Sequence, residues 1–123
     1  MTTFIKAAAT TASAVALLGS LALSAPVMAE EAPSRAELGK EIAWDRGLGN
    51  CLACHAMEDG NLPGTIGPPL IAMKARFPDR DALYEIVYDI WERTPNTIMP
   101  RFGKYGVLSE EQVDLVVDYL YTL

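Results

Sequence analysis

The 123-residue chain has one histidine and two cysteines. That inventory cannot build a four-ligand Cys/His zinc site, and it leaves no Ser-His-Asp triad if the histidine has other work. Positive charge is also short, with Lys+Arg 10 against Asp+Glu 16 and a formal net charge of −6. A nucleic-acid-binding surface as the main role is thereby excluded. The length has room for one small domain and not for two separate cores. No internal repeat and no strand-like alternation occur, which points to an all-α domain.

What the chain does have begins with an apolar leader. Lys6 is the single charge before Glu30, and the 17 residues from Ala7 to Leu23 are rich in Ala, Leu and Val. Pro26 ends any helix, and Val27-Met28-Ala29 has the small-residue form of a cleavage site. Residues 1–29 are therefore expected to be a Sec-type signal peptide, and residues 30–123 the working domain, released in the periplasm. A retained anchor is the competing reading, but the run is at the lower limit for a bilayer span and carries several hydroxyls. No Arg pair precedes the run and no Cys follows Ala29, which speaks against twin-arginine export and against a lipoprotein. Removing 29 residues leaves 94 and takes away Lys6, so the formal charge moves from −6 to −7. A domain that small buries a modest core and usually needs a staple or a bound group at its centre.

Three main helices are expected. Ser34 and Glu37 form a capping box that opens a helix to about Leu48, with Leu38, Gly39, Ile42 and Ala43 on one face. Gly39 and Ala43 are small and one turn apart, so a second helix can cross there at close range. Another helix is expected from about Asp81 to Thr94, stopped by Pro95. The last starts at Ser109, with Gln112 as the reciprocal cap, and has Val113, Val116, Val117 and Leu120 as its core stripe. Between them run two long Pro-rich connections, around Gly60 to Pro69 and from Pro95 to Leu108. Loops of that length in a small bundle usually wrap something. A large apolar cofactor between the loops, backed by the helices, fits.

Cys51-Leu52-Ala53-Cys54-His55 follows the first helix, and C-x-x-C-H is the attachment motif of c-type haem. Two thiols in one turn can each add to a haem vinyl group, and the next residue carries an imidazole to the iron. Cys51, Cys54 and His55 are all used in this reading. A thioredoxin-type site would need a βαβ context, a zinc site lacks a fourth ligand, and a Cys51–Cys54 disulfide would close too short a loop to stabilise much. The opposite axial ligand must come from Met57, Met73 or Met99. Met57 is two residues from His55 and cannot reach round. Met73, in an apolar run, reads as core filler. Met99 stands before Pro100, which biases it to extended backbone and lets its side chain project from the loop. The expected cofactor is thus one covalent haem c, its iron bound by His55 and Met99. The stiff Gly67-Pro68-Pro69 segment offers the Pro68 carbonyl as acceptor for the other ring N–H of His55.

These residues together resemble the class I cytochromes c. The haem motif, Pro63-Gly64-Thr65-Ile66-Gly67-Pro68-Pro69-Leu70, Ala75-Arg76-Phe77-Pro78-Asp79, Ile98-Met99-Pro100-Arg101-Phe102-Gly103 and Leu108-Ser109-Glu110-Glu111 are similar, more narrowly, to the SoxX family of monohaem subunits. The resemblance runs from about Gly39 to the end. It implies a heterodimer with a SoxA-like cytochrome, and a SoxAX-type complex that oxidatively couples thiosulfate to a cysteine of a SoxYZ-like carrier. In that L-cysteine S-thiosulfotransferase complex this chain would be the non-catalytic electron outlet, passing electrons to a small cytochrome c. Arg101 departs from the family pattern, where a second Pro is expected, and is expected to put a positive charge near the haem edge.

Two further readings compete. One is a free-standing periplasmic class I cytochrome c that shuttles electrons to a terminal oxidase. The other is a haem enzyme with an open iron site, which requires Met99 not to be a ligand. On the helix from Asp81, Leu83, Ile86, Val87 and Ile90 form one stripe, and Tyr84, Tyr88 and Trp91 an adjacent one. The combined face is wider than a core needs. The aromatic stripe is either a partner interface or packing against the loops, and the sequence leaves both open.

Overall fold

Three of the helix starts among the described residues are written in a few consecutive residues. The computed structural model describes residues 31–58 and 60–123. The expected signal segment, residues 1–29, lies outside them, as does Glu30 at the start of the expected mature domain. Helix α1 spans Arg35–Trp44, α2 Met73–Arg76, α3 Arg80–Asp89 and α4 Glu110–Leu120. Short 3₁₀ turns occupy Cys51–Ala53 and Ile90–Glu92. Among the described residues there is no strand, and no helix is long and apolar enough to cross a membrane.

Both capping boxes form. The Ser34 backbone N–H donates to Glu37 Oε2 at 2.7 Å and the Glu37 N–H donates to Ser34 Oγ at 3.2 Å. The same exchange joins Ser109 and Gln112, at 2.9 and 3.2 Å. Each satisfies amide groups that a helix start leaves without partners. Helix α1 ends at Trp44, four residues short of the expected Leu48. Asp45 turns extended, and its carboxylate accepts the Gly47 N–H at 2.5 Å. That local side-chain bond competes with the helix, as Asp commonly does. Likewise α3 stops at Asp89 and tightens into the 3₁₀ turn instead of running to Thr94, because Asp89 Oδ1 takes the Trp91 N–H at 3.3 Å. Helix α2 was not foreseen, since four residues carry no readable period.

Helices α1 and α4 cross at the expected place. Gly39 and Ala43 are buried, and a Cβ on Gly39 would overlap the Leu115 carbonyl of α4. Val113, Val116, Val117 and Leu120 are all buried. Across the same junction the Trp44 indole N–H donates to the Tyr119 hydroxyl at 3.0 Å. Arg35 and Arg80, the first residues of α1 and α3, both reach Asp114 and Asp118 on α4, at 2.5 to 2.7 Å. These ion pairs are partly exposed and add modestly to stability. Apolar burial at Gly39, Ala43 and the α4 valines dominates the junction.

Candidate functional site

A cavity of about 480 Å³ opens between α3, α4 and the two long connections. Its walls are mostly apolar: Leu83, Ile86 and Val87 come from α3, Ile90 from the 3₁₀ turn that follows it, and Val116 and Leu120 from α4. Of the two stripes on this segment, the aliphatic one lines the cavity. The loops contribute Ile66 to Pro68, Leu70, Ile98 to Pro100 and Phe102. Cys51, Cys54, His55, Pro68 and Met99, the five candidate site residues, are all on this one surface.

Asn50 enters the motif in the left-handed region, at φ 45°, a conformation that Asn tolerates better than most residues. The turn that follows sends the Cys54 and His55 N–H groups to the Cys51 carbonyl, at 3.1 and 2.9 Å. Both thiols are free. Burial pushes the Cys51 thiol up to about 11. A disulfide-exchange cysteine needs the opposite shift, toward thiolate, so Cys51 does not have the character of a redox thiol.

His55 Nδ1 lies 2.7 Å from the Pro68 carbonyl oxygen. A carbonyl can only accept, so Nδ1 carries the proton and Nε2 keeps the lone pair that a metal requires. The bond forms because the Pro68 segment is tied back onto the motif. Gly64 N–H donates to the Leu52 carbonyl, Gly67 N–H to Cys54 and Leu70 N–H to Ala56, each at 2.8 Å. Gly67 lies flat against the imidazole, and a Cβ there would overlap the ring. Its role in holding the ring was missed. The signal was the Gly preceding Pro68 in a segment already singled out.

The methionines separate by position. Met57 is buried but does not line the cavity, whereas Met73 and Met99 both do. The Met73 sulfur accepts from Arg76 Nη1 at 3.5 Å and its backbone N–H is tied to the Leu123 carbonyl. Met99 is half-buried at the turn before Pro100.

The expected role of Arg101 needs correction. Its guanidinium does not line the cavity and is paired with Asp89, at 2.5 and 2.7 Å. The pairing carboxylate removes the free positive charge expected near the haem edge. The cationic side chains on the cavity are Arg76 and Arg93, neither of which was an expected site residue. In the aromatic stripe, Tyr84 and Tyr88 stack with centroids 5.8 Å apart, and neither lines the cavity. Tyr88 packs against Gly103 of the second loop, while Trp91 is exposed.

A flat apolar macrocycle with two carboxylates fits what is present. Two thiols, an oriented imidazole and a thioether meet on one mostly apolar cavity whose lining includes two arginines. This is the chemistry of a c-type haem site. Comparison with known proteins agrees. Residues 36–120 match the family described as cytochrome c oxidase, cbb3-type, subunit III. The chain belongs to this family of c-type cytochrome domains, and the family implies haem c as the cofactor.

Within it the chain is SoxX-like. The crystal structure of SoxXA from P. pantotrophus is similar at 32% sequence identity and a TM-score of 0.65, covering 74% of this chain and 82% of that one. An uncharacterized lipoprotein of Aquifex aeolicus (strain VF5) is 36% identical over 74 residues, 59% of this chain. The chain spans about a third of that relative, 36% of its length.

Proposed function

We propose that this protein is a periplasmic electron-transfer subunit with one covalent haem c. In this reading it works beside a SoxA-like cytochrome that couples thiosulfate to a cysteine of a SoxYZ-like carrier. The observation that carries the reading is the convergence of Cys51, Cys54, His55 and Met99 on a single apolar cavity. A haem c bound there supplies a one-electron couple.

The chain's own residues do the rest. Cys51 and Cys54 would hold the group by thioether bonds. His55 offers Nε2 to the iron, in an orientation set by the Pro68 carbonyl and the Gly67 backbone. Met99 would supply the second ligand. Met73 shares the cavity, but its sulfur is engaged by Arg76. A neutral thioether favours the ferrous state, which raises the potential. The apolar walls exclude water and hold the local dielectric low.

With both thiols and the histidine committed, the chain has no free thiol to carry a sulfur substituent and no second histidine to act as acid or base. Oxidative coupling of thiosulfate releases a pair of electrons, so the sulfur chemistry is assigned to the partner and this chain to the outlet, toward a small cytochrome c.

The test is direct. Purified protein extracted with acid acetone should keep its red chromophore, and the paired Cys51→Ala and Cys54→Ala variant should lose it. Met99→Ala should lower the potential and open the iron to carbon monoxide, while Met73→Ala should do neither. The isolated domain should exchange electrons with a small cytochrome c but form no thiosulfate–carrier adduct until a SoxA-like partner is added. Elution without any larger cytochrome from its native source would instead favour a free-standing carrier.

A further inference from the structure

The residue that departs from the family pattern is also the residue that ties the Met99 loop down. Arg101 is two positions after Met99. Of the run Met99-Pro100-Arg101-Phe102 it alone does not line the cavity. Its guanidinium grips the Asp89 carboxylate in a two-point fork, Nε to Oδ1 at 2.7 Å and Nη2 to Oδ2 at 2.5 Å. The two side chains are 17% and 4% exposed. Asp89 is the buried charged residue among those described, and it closes the end of α3. Trp91 and Tyr105 lie against the guanidinium, with centroids 5.1 and 5.2 Å away. The backbone follows the same anchor, since Gly103 and Lys104 N–H both donate to the Tyr88 carbonyl, at 3.1 and 3.2 Å.

Met99 packs against the buried core, but its backbone is weakly held. Its N–H makes a long bond of 3.4 Å to Thr97 Oγ1. Phe102 is pinned from below by burial. We infer that the Arg101–Asp89 pair is the positioning device that keeps Met99 seated on the cavity, with α3 as the fixed wall. A buried ion pair of this kind resists lateral motion because a planar fork satisfies both carboxylate oxygens in one geometry only. A second Pro at position 101 would stiffen the loop but could not join it to α3.

This inference rests on Met99 being a ligand, and the experiment separates the two. External imidazole binds ferric iron only when the sixth position is vacant, so its apparent affinity reports the fraction of molecules with Met99 unseated. In the haem-containing protein, Arg101→Gln and Asp89→Asn should each tighten imidazole binding by about tenfold or more, as expected for loss of charge-assisted bonds. Each should also weaken the long-wavelength absorption of a thioether-bound ferric haem. Arg101→Lys, which keeps the charge without the fork, should be intermediate. If the glutamine variant fails to fold, the lysine variant still decides the matter. Arg35→Gln breaks a more exposed ion-pair network that joins α1 to α4 and should leave imidazole affinity unchanged. Wild-type imidazole affinity in Arg101→Lys and Asp89→Asn, with Met99→Ala strongly altered, would overturn the positioning role alone. An unaltered Met99→Ala would overturn the ligand assignment beneath it.

Discussion

The α1–α4 junction and the cavity side of this domain are held together by different means. At the junction, Gly39 lets α1 approach the Leu115 backbone and Tyr119 of α4, beside the buried Ala43, with partly exposed ion pairs at its edge. Around the cavity, two long connections are laced to the helices by individual bonds, such as Gly67 to Cys54, Gly103 to Tyr88 and Arg101 to Asp89. The helical side needs no ligand to explain its packing. The loop side keeps apolar walls apart and brings two thiols, an imidazole and a thioether to them, an arrangement that makes sense around a bound group. Side-chain burial builds the first region, and specific tethers that leave room build the second.

The sharpest way to break the helical side is Gly39→Val. The added atoms run into the Leu115 carbonyl, which cannot move without moving α4. Chemical denaturation should show a loss of about 3 kcal/mol, at the upper end for overpacking. On the cavity side the corresponding change is Gly67→Ala, which pushes on the His55 ring. Because a loop can shift where a helix pair cannot, its stability loss should be smaller, about 1–2 kcal/mol. The altered ring orientation should still register in the absorption spectrum of the haem-containing protein. A larger stability loss for Gly67→Ala than for Gly39→Val would reverse the comparison.

Smaller effects sharpen it. Ser109→Ala removes one half of the α4 capping box and should cost about 1 kcal/mol, measured by the denaturation midpoint, with no change at the iron. The smallest effect concerns the charges at the junction. Burial pushes the Asp118 carboxyl up, but the hydrogen bonds from Arg80 and Arg35 outweigh it and hold the group below its ordinary value of 3.8. A carboxyl lowered in the folded state contributes stability that is complete above that ordinary value. The contribution is lost as the pH falls through the folded value. Stability should therefore be insensitive to this group above about pH 5 and decline below 3.8. Asp118→Asn should flatten that acid limb, and high salt should shrink the difference, since the network is partly exposed.

The readable features are those whose cause lies within a few residues. Ser34 with Glu37, Ser109 with Gln112, and Cys51 through His55 each specify their structure by contacts inside one turn. The pairing of Gly39 with α4 was also legible, because two small residues one turn apart on an apolar face have little other use. The ends of α1 and α3 were misjudged for a local reason that sequence patterns underweight. Asp45 and Asp89 each turn their carboxylate back onto a nearby N–H, two residues ahead, and draw the chain out of the helix. Met73 was read as core filler and is buried, yet it also reaches the cavity.

By itself, then, the sequence determined the all-α class, the capped helix starts, the attachment motif and the narrow choice of methionines, since each depends on residue chemistry and short spacing. Only the tertiary structure decided that Arg101 is sequestered by Asp89 twelve positions earlier in the chain, and that Arg76 and Arg93 are the cations on the cavity. It also decided that Gly67 is the surface against which His55 rests. A long guanidinium can satisfy itself with any carboxylate that folding brings within reach. Which one it meets is set by how α3 and the two loops close around the space between them.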